Sequence, residues 1–262
     1  MSRVCVYLVN EHPLYIKMVC NSIWMLRKHN KHLPVRVYLL KDQSQITHSI
    51  ALALNAKTTF DTLKLLELCR YLNVEVREVS PYQIDEPYLK DYFFINRIHF
   101  ASSTEDSVLH IDGDTFIWGD IEPLFDLYTE AEMAVPRSQW IKQRFSCKSI
   151  GRDIDPFNAG VMLFNKGLCK KWAEDLLPYL RKTYTAPWFD IKKLAWEEMA
   201  TNWWAIDNVQ NIQYFKDTQC FPLRDPNDLN DLCKSLIIHT YVSQWEQAYR
   251  FYGKPMENKR KY

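Results

Sequence analysis

Two aspartates one residue apart, Asp112 and Asp114, close a short apolar run, Ser107-Val-Leu-His-Ile111. Side chains at i and i+2 of an extended chain point to one face, and Gly113 between them permits a tight local conformation. Carboxylates held that close repel each other unless a cation compensates them. A hard divalent ion such as Mn2+ or Mg2+ takes a few carboxylate oxygens together with those of a phosphate. Asp-Gly is also common turn vocabulary, so the pair by itself leaves a plain surface turn open.

A second carboxylate pair, Glu197 and Glu198, stands in Trp196-Glu-Glu-Met199. By residue type alone, two neighbouring glutamates read as a solvated helix face. Around it, Tyr184, Trp188, Phe189, Trp196, Trp203 and Trp204 form a dense aromatic segment. Flat rings with a polar edge suit sugar faces. Trp203 and Trp204 are neighbours and point different ways, so one is expected in the core and one in an acceptor groove. Taken singly, Arg97 reads as a helix-surface ion-pair residue, and His239, ending Leu236-Ile-Ile-His239, as a core histidine.

The elements that must carry these groups alternate. Arg3–Val9 and Ser107–Ile111 read as buried strands, and Val35–Leu40 and Val74–Val79 as strands; Tyr15–His29, Asp61–Leu72 (with Asp61 as N-cap) and Tyr88–Ser102 read as helices. Strands separated by helical crossovers predict an α/β fold with a mixed, mostly parallel central sheet flanked by helices. Ligands of such sheets gather at the carboxyl ends of the strands, which is where Asp112 and Asp114 fall. With no repeat or linker in 262 residues, a single domain over 1–262 is expected, with 240–262 as a C-terminal elaboration.

Composition excludes several classes. Lys plus Arg against Asp plus Glu is 33 against 32, so no large basic stripe is available for nucleic acid. Six glycines do not form a P-loop or a GxGxxG fingerprint. Seven scattered cysteines without a CxxC pair suggest neither a disulfide framework nor a zinc ribbon. The opening MSRVCVYLVN reads as strand rather than signal peptide, and no apolar run approaches the ~18 residues of a membrane span. A reducing, cytoplasmic location is expected. The stretch Trp245–Tyr262 mixes aromatics with Arg250, Lys254, Lys259, Arg260 and Lys261, which suits either a packed helix with a frayed end or peripheral membrane contact.

In order along the chain, four features resemble GT-A-fold glycosyltransferases, most nearly the family 8 type that uses nucleotide-sugar donors. Arg97, in Tyr92-Phe-Phe-Ile-Asn-Arg-Ile98, precedes the DxD pair by fifteen positions. Leu109-His-Ile-Asp-Gly-Asp-Thr-Phe-Ile-Trp-Gly-Asp-Ile-Glu-Pro-Leu-Phe125 is similar to that family's "LYLDxDtiv" block. Phe157-Asn-Ala-Gly-Val-Met-Leu-Phe-Asn165 resembles its "fNaGvmlfn" strand, and Leu236-Ile-Ile-His-Thr240 its late strand with a metal-binding histidine.

The resemblance implies a GT-A, Rossmann-like fold and a metal-dependent, retaining transferase. It would move a hexose from a UDP-sugar to a sugar or another hydroxyl acceptor. Asp112, Asp114 and His239 would hold Mn2+ or Mg2+. Arg97, Gly113, Asn158 and Ala159 would line the donor, and Lys254 would reach its diphosphate. Val9, Asn10, Glu11 and Tyr15 would meet the base and ribose, although the family often has aspartate where this chain has Asn10-Glu11. Glu197 and Glu198 stand where the family places an Asp-Gln pair, which leaves retention or inversion open. These departures keep a second reading, an inactive binder of nucleotide sugars or glycans. A haloacid-dehalogenase-type phosphatase fits poorly, because Thr115 follows the second aspartate directly and the motif lies mid-chain.

Overall fold

A computed structural model describes residues 1–41, 61–85, 93–138, 154–185, 196–222, 235–240 and 242–251 of the chain. The first third follows the apolar periodicity closely. Strand β1 (Arg3–Asn10) leads into helix α1 (Pro13–His29), then strand β2 (Val35–Leu40), helix α2 (Thr62–Tyr71) and strand β3 (Glu75–Val79). Both β1 and β2 are buried along nearly their whole length, as β-branched runs covered on two faces should be. Helix α1 begins two residues earlier than its apolar stripe. Pro13 occupies the first turn, where its missing N–H costs nothing, and His12 Nδ1 accepts from the Leu14 N–H at 3.3 Å. Asp61 caps α2 by accepting from the Lys64 N–H.

Phe93–Ser102 is a 3-10 helix rather than the expected α-helix. The Asn96 side chain donates to the Phe93 carbonyl, three residues back, at 2.9 Å. A side chain that claims a carbonyl in this way competes with the α-helical ladder. Residues 88–92 of that expectation lie outside the described residues.

Strands β4 (Ser107–Ile111) and β5 (Thr115–Ile117), helix α3 (Glu122–Leu127), and strands β6 (Met133–Val135) and β7 (Val161–Asn165) follow. After them come helices α4 (Leu168–Tyr184) and α5 (Trp196–Asn208), strands β8 (Ile212–Tyr214), β9 (Cys220–Pro222) and β10 (Ile237–His239), and helix α6 (Val242–Phe251). Seven strands form one sheet in the order β3-β2-β1-β4-β7-β6-β8. The first four are parallel, β7 runs antiparallel to β4 and β6, and β8 is parallel to β6. A three-stranded sheet, β5-β10-β9, brings residues 237–239 alongside residues 115–117. One apolar layer joins α1, α2, the small sheet and α6; the other joins the 3-10 helix, α4 and α5.

Aromatic burial departs from expectation. Trp204 packs in the second layer, and Trp203 is also buried, in a small cluster with Ile206. Both therefore pack, because α5 is covered on two sides; neither is left bare for an acceptor. Trp188 and Phe189 lie outside the described residues. At the other end of the chain, Trp245 and Tyr249 are fully buried, and Lys17 Nζ stands 4.6 Å above the Tyr249 ring and 3.3 Å from Glu246. Of the aromatics once available for membrane contact, only Phe251 is exposed among the described residues. No helix among them is long and apolar enough to cross a membrane. Cys5, Cys20, Cys69, Cys169 and Cys220 are buried, as small hydrophobes are.

Candidate active site

The Asp112-Gly113-Asp114 turn leaves β4 at the carboxyl edge of the sheet and is held from three sides. The Asp112 N–H donates to the Gly160 carbonyl at 2.7 Å, just before β7. The Asp114 carbonyl accepts from the Thr240 N–H at 3.1 Å and the Thr240 hydroxyl at 2.7 Å, just after β10. On the third side, a Cβ on Gly113 would stand 2.6 Å from Val19 Cγ2 of α1. Only glycine lets the turn sit that low.

The small sheet delivers His239 to the same point. Its Nε2 lies 3.3 Å from Asp114 Oδ1 and 3.8 Å from Asp112 Oδ2. One ligand atom from each of the three residues falls within 4.8 Å of the others. A cation of Mg2+ size in octahedral geometry spaces adjacent ligands by about 3 Å and opposite ones by about 4.2 Å, so the triad fits one.

The imidazole also presents the right nitrogen. Asn158 Oδ1 accepts from the Gly160 N–H at 3.0 Å, which fixes that atom as an acceptor. His239 Nδ1, 2.7 Å from the same oxygen, must therefore carry a proton. In the neutral ring the lone pair is then on Nε2, facing the carboxylates. An outer partner that sets the tautomer of a ligating histidine is a recurrent feature of metal sites. Gly160 completes the fit: a Cβ there would meet His239 Cε1 at 2.1 Å and Nε2 at 2.4 Å.

A cation and a neutral imidazole back the turn. Arg97 is almost wholly buried and donates to Asp112 Oδ1 at 2.7 Å. Its guanidinium lies 4.7 Å over the Phe94 ring, while Nε and Nη1 have no protein partner among the described residues. The buried His110 places Nε2 3.1 Å from Asp112 Oδ1. Burial, then the Arg97 charge, lowers the His110 pKa to about 4, so its ring is neutral near pH 7.

The two aspartates are pushed apart. Burial raises Asp112, but Arg97 and then His110 overturn this and hold it well below the usual carboxylate range. Burial raises Asp114, and His239 offsets only part of that. For His239, burial lowers the pKa, yet Asp114, Asp112 and Glu198 together raise it above its ordinary value.

Glu198 is buried on α5, and its charge reaches His239. Glu197 precedes it on the same helix. Ala159 is buried beside Asn158. The structure thus brings Arg97, Asp112, Gly113, Asp114, Asn158, Ala159, His239 and Glu198 together.

Val9, Asn10, Glu11 and Tyr15 form a second group where β1 ends, on the same sheet edge because β1 and β4 are parallel neighbours. There Val9 is buried in the core, and Asn10 Oδ1 accepts from the His12 N–H at 3.1 Å. Glu11 pairs with Lys41 at 3.2 Å, and Tyr15 lies parallel to Phe93 at 6.1 Å. Lys254 lies outside the described residues. Sequence reasoning missed His110 and Thr240; the position of His110 inside the DxD strand was its one visible sign.

A family model described as glycosyl transferase family 8 matches residues 5–181, more than half of the chain. The chain belongs to this family. It is accordingly an enzyme, a glycosyltransferase. Among solved structures, the galactosyltransferase LgtC, in complex with donor and acceptor sugar analogs, is 13% identical; the match covers 95% of both chains with a TM-score of 0.55. The apo-form glycosyltransferase GlyE of Streptococcus pneumoniae TIGR4 is 18% identical over 95% of this chain and 60% of its own, with a TM-score of 0.56. Mouse xyloside xylosyltransferase 1 is 12% identical over 91% and 97%, with a TM-score of 0.52. At these identities the likeness speaks for the fold, which is the GT-A type expected from the family 8 pattern. A comparison with curated proteins finds no match.

Proposed function

We propose that this family 8 glycosyltransferase is metal-dependent. It moves a hexose from a UDP-sugar to a sugar or another hydroxyl acceptor and retains the configuration of the anomeric carbon. The observation that carries the reading is the Asp112, Asp114, His239 triad, whose histidine is held in the ligating tautomer by Asn158.

Asp112, Asp114 and His239 are the residues that would hold Mn2+ or Mg2+. When bound, such an ion offsets the charge that builds on a departing nucleoside diphosphate. The chain's own groups do the rest. Arg97 keeps Asp112 ionised and offers Nε and Nη1 to the donor, a planar fork suited to an anion or to sugar oxygens. Asn158 and Ala159 form the floor beneath the donor sugar, with Gly113 keeping the turn low. Glu198, with Glu197 beside it, orients sugar hydroxyls and stabilises positive charge at the anomeric carbon as the leaving group departs. Base and ribose rest on Val9, Asn10, Glu11 and Tyr15, and Lys254 reaches the diphosphate. The whole of 1–262 serves this one site as a single domain, with 240–262 as an elaboration that supplies Thr240 and Lys254.

Donor hydrolysis or transfer should vanish in chelator and return with Mn2+. Asp114→Asn should abolish most of it while the protein stays folded, since the aspartate's carbonyl, not its carboxylate, anchors the turn to Thr240. Full turnover in excess chelator refutes the metal reading.

A further inference from the structure

Asn202 is fully buried on α5, and all of its amide atoms are engaged. Its Oδ1 accepts from the Phe157 N–H at 3.0 Å, and its Nδ2 donates to the Phe157 carbonyl at 2.9 Å. The second Nδ2 proton goes to the Glu198 carbonyl, one helical turn back, at 2.7 Å. Only one orientation of the amide satisfies an N–H and two carbonyls, so the assignment of O and N is fixed by its partners.

The other side of this segment explains why an asparagine is there. Residues 156–158 pair with the end of β6: the Ser138 N–H donates to the Pro156 carbonyl at 2.8 Å, and the Asn158 N–H to the Pro136 carbonyl at 3.0 Å. Arg137 and Phe157 therefore face each other as an antiparallel bridge. In such a pair the N–H and C=O of Phe157 point outward, and both are buried. Buried backbone groups require partners. Asn202 supplies both from a side chain, acting as a one-residue strand docked on the segment's open edge.

We propose that Asn202 is a positioning residue that couples Glu198 to the metal-ligating histidine. The inference rests on the metal reading above. A continuous set of bonds joins them: the Glu198 carbonyl to Asn202, Asn202 to Phe157, the next residue Asn158 to His239 Nδ1, and His239 Nε2 to the face of Asp114. The sugar-side carboxylate and the cation ligand are thus registered through one clasp. Cutting it frees α5 to shift against the Phe157–Gly160 segment, which moves Glu198 and loosens the lock on His239 together.

The test is Asn202→Ala, with Thr201→Ala as a control for helix packing at the neighbouring buried position. Mn2+ affinity is read by calorimetry on protein without donor, alongside kcat and KM for the donor. Losing the partner that directly holds a metal ligand typically costs ~10–100-fold in affinity or activity, and Asn202 acts on that partner, Asn158, through Phe157, so the low end of that range is expected. Asn202→Ala should lower both Mn2+ affinity and kcat by about tenfold or more, while Thr201→Ala stays within about twofold on both. A folded Asn202→Ala protein with wild-type Mn2+ affinity and wild-type kcat overturns the inference and leaves Asn202 as a structural clasp alone. Should Asn202→Ala fail to fold, Asn202→Asp decides by the same two readouts, since it keeps the size and the acceptor but loses both donated bonds. Wild-type protein that binds no Mn2+ removes the metal reading, and the coupling with it; wild-type binding that the variants leave intact removes only the coupling.

Discussion

A single methyl group at Gly160 should disable the metal site from behind. In Gly160→Ala the new Cβ would lie 2.1 Å from His239 Cε1, 2.4 Å from Nε2 and 2.6 Å from Nδ1. Real Cβ contacts essentially never fall under 3.0 Å, so the ring edge must retreat by at least 3.0 − 2.1 = 0.9 Å, and by 1.3 Å to reach the ordinary contact distance of 3.4 Å. Metal ligands tolerate about 0.2 Å. The retreat also pulls Nδ1 away from Asn158, releasing the tautomer lock. Mn2+ affinity should fall by about 100-fold or more, close to 2.7 kcal/mol, and match that of His239→Ala. Overpacking should also cost about 1–3 kcal/mol of stability. The double variant provides the internal check. With the imidazole gone, the methyl has room, so Gly160→Ala/His239→Ala should bind Mn2+ no worse than His239→Ala and melt above Gly160→Ala. Such non-additivity is expected only of residues in contact. Mn2+ calorimetry and thermal melts on the four proteins read it directly. Wild-type Mn2+ affinity in Gly160→Ala would falsify the placement of His239 against Gly160.

Three more outcomes follow from the same geometry. UDP with Mn2+ should raise the melting temperature more than GDP, ADP or CMP, since a ligand at 100 times its Kd stabilises by about 2.7 kcal/mol; a larger shift with GDP sinks the choice of base and leaves the fold untouched. Glu198→Gln should keep UDP binding near wild type while turnover drops roughly 10²-fold. Glu197→Gln serves as its control, since successive helix positions lie about 100° apart round the axis; if it alone is impaired, the register is off by one. Mn2+ binding should weaken as pH falls, because His239 must lose its Nε2 proton to ligate and its pKa is raised above 6.5 by the neighbouring carboxylates. Titrations across pH 6–8 should show proton release on binding, and affinity independent of pH there refutes that role for His239.

Much of this was legible locally. An apolar run that ends in Asp-Gly-Asp is a statement about a few consecutive residues, and strand burial makes such runs readable at once. The periodicities of α1, α2 and the first three strands are local in the same sense, and the cap at Asp61 marks where α2 begins. The 3-10 course of Phe93–Ser102 was not legible, because it turns on which carbonyl the Asn96 side chain takes. Nor was the burial of Trp203 and Trp204, since an aromatic's neighbours depend on what covers the helix.

By itself, the sequence determined the chemical inventory and its order: the carboxylate pair at a strand end, the arginine before it, the Asn-Ala-Gly strand and the late histidine. Only the tertiary structure decided what each does to the others. Asn158 and His239 are 81 positions apart and Asn202 and Phe157 are 45, so no periodicity links them. The reason Gly160 is glycine is a ring from another sheet, and the reason Asp112 stays ionised is a buried guanidinium. Such facts arise from packing distant segments into one dry volume, where each buried donor, acceptor and charge must find its partner.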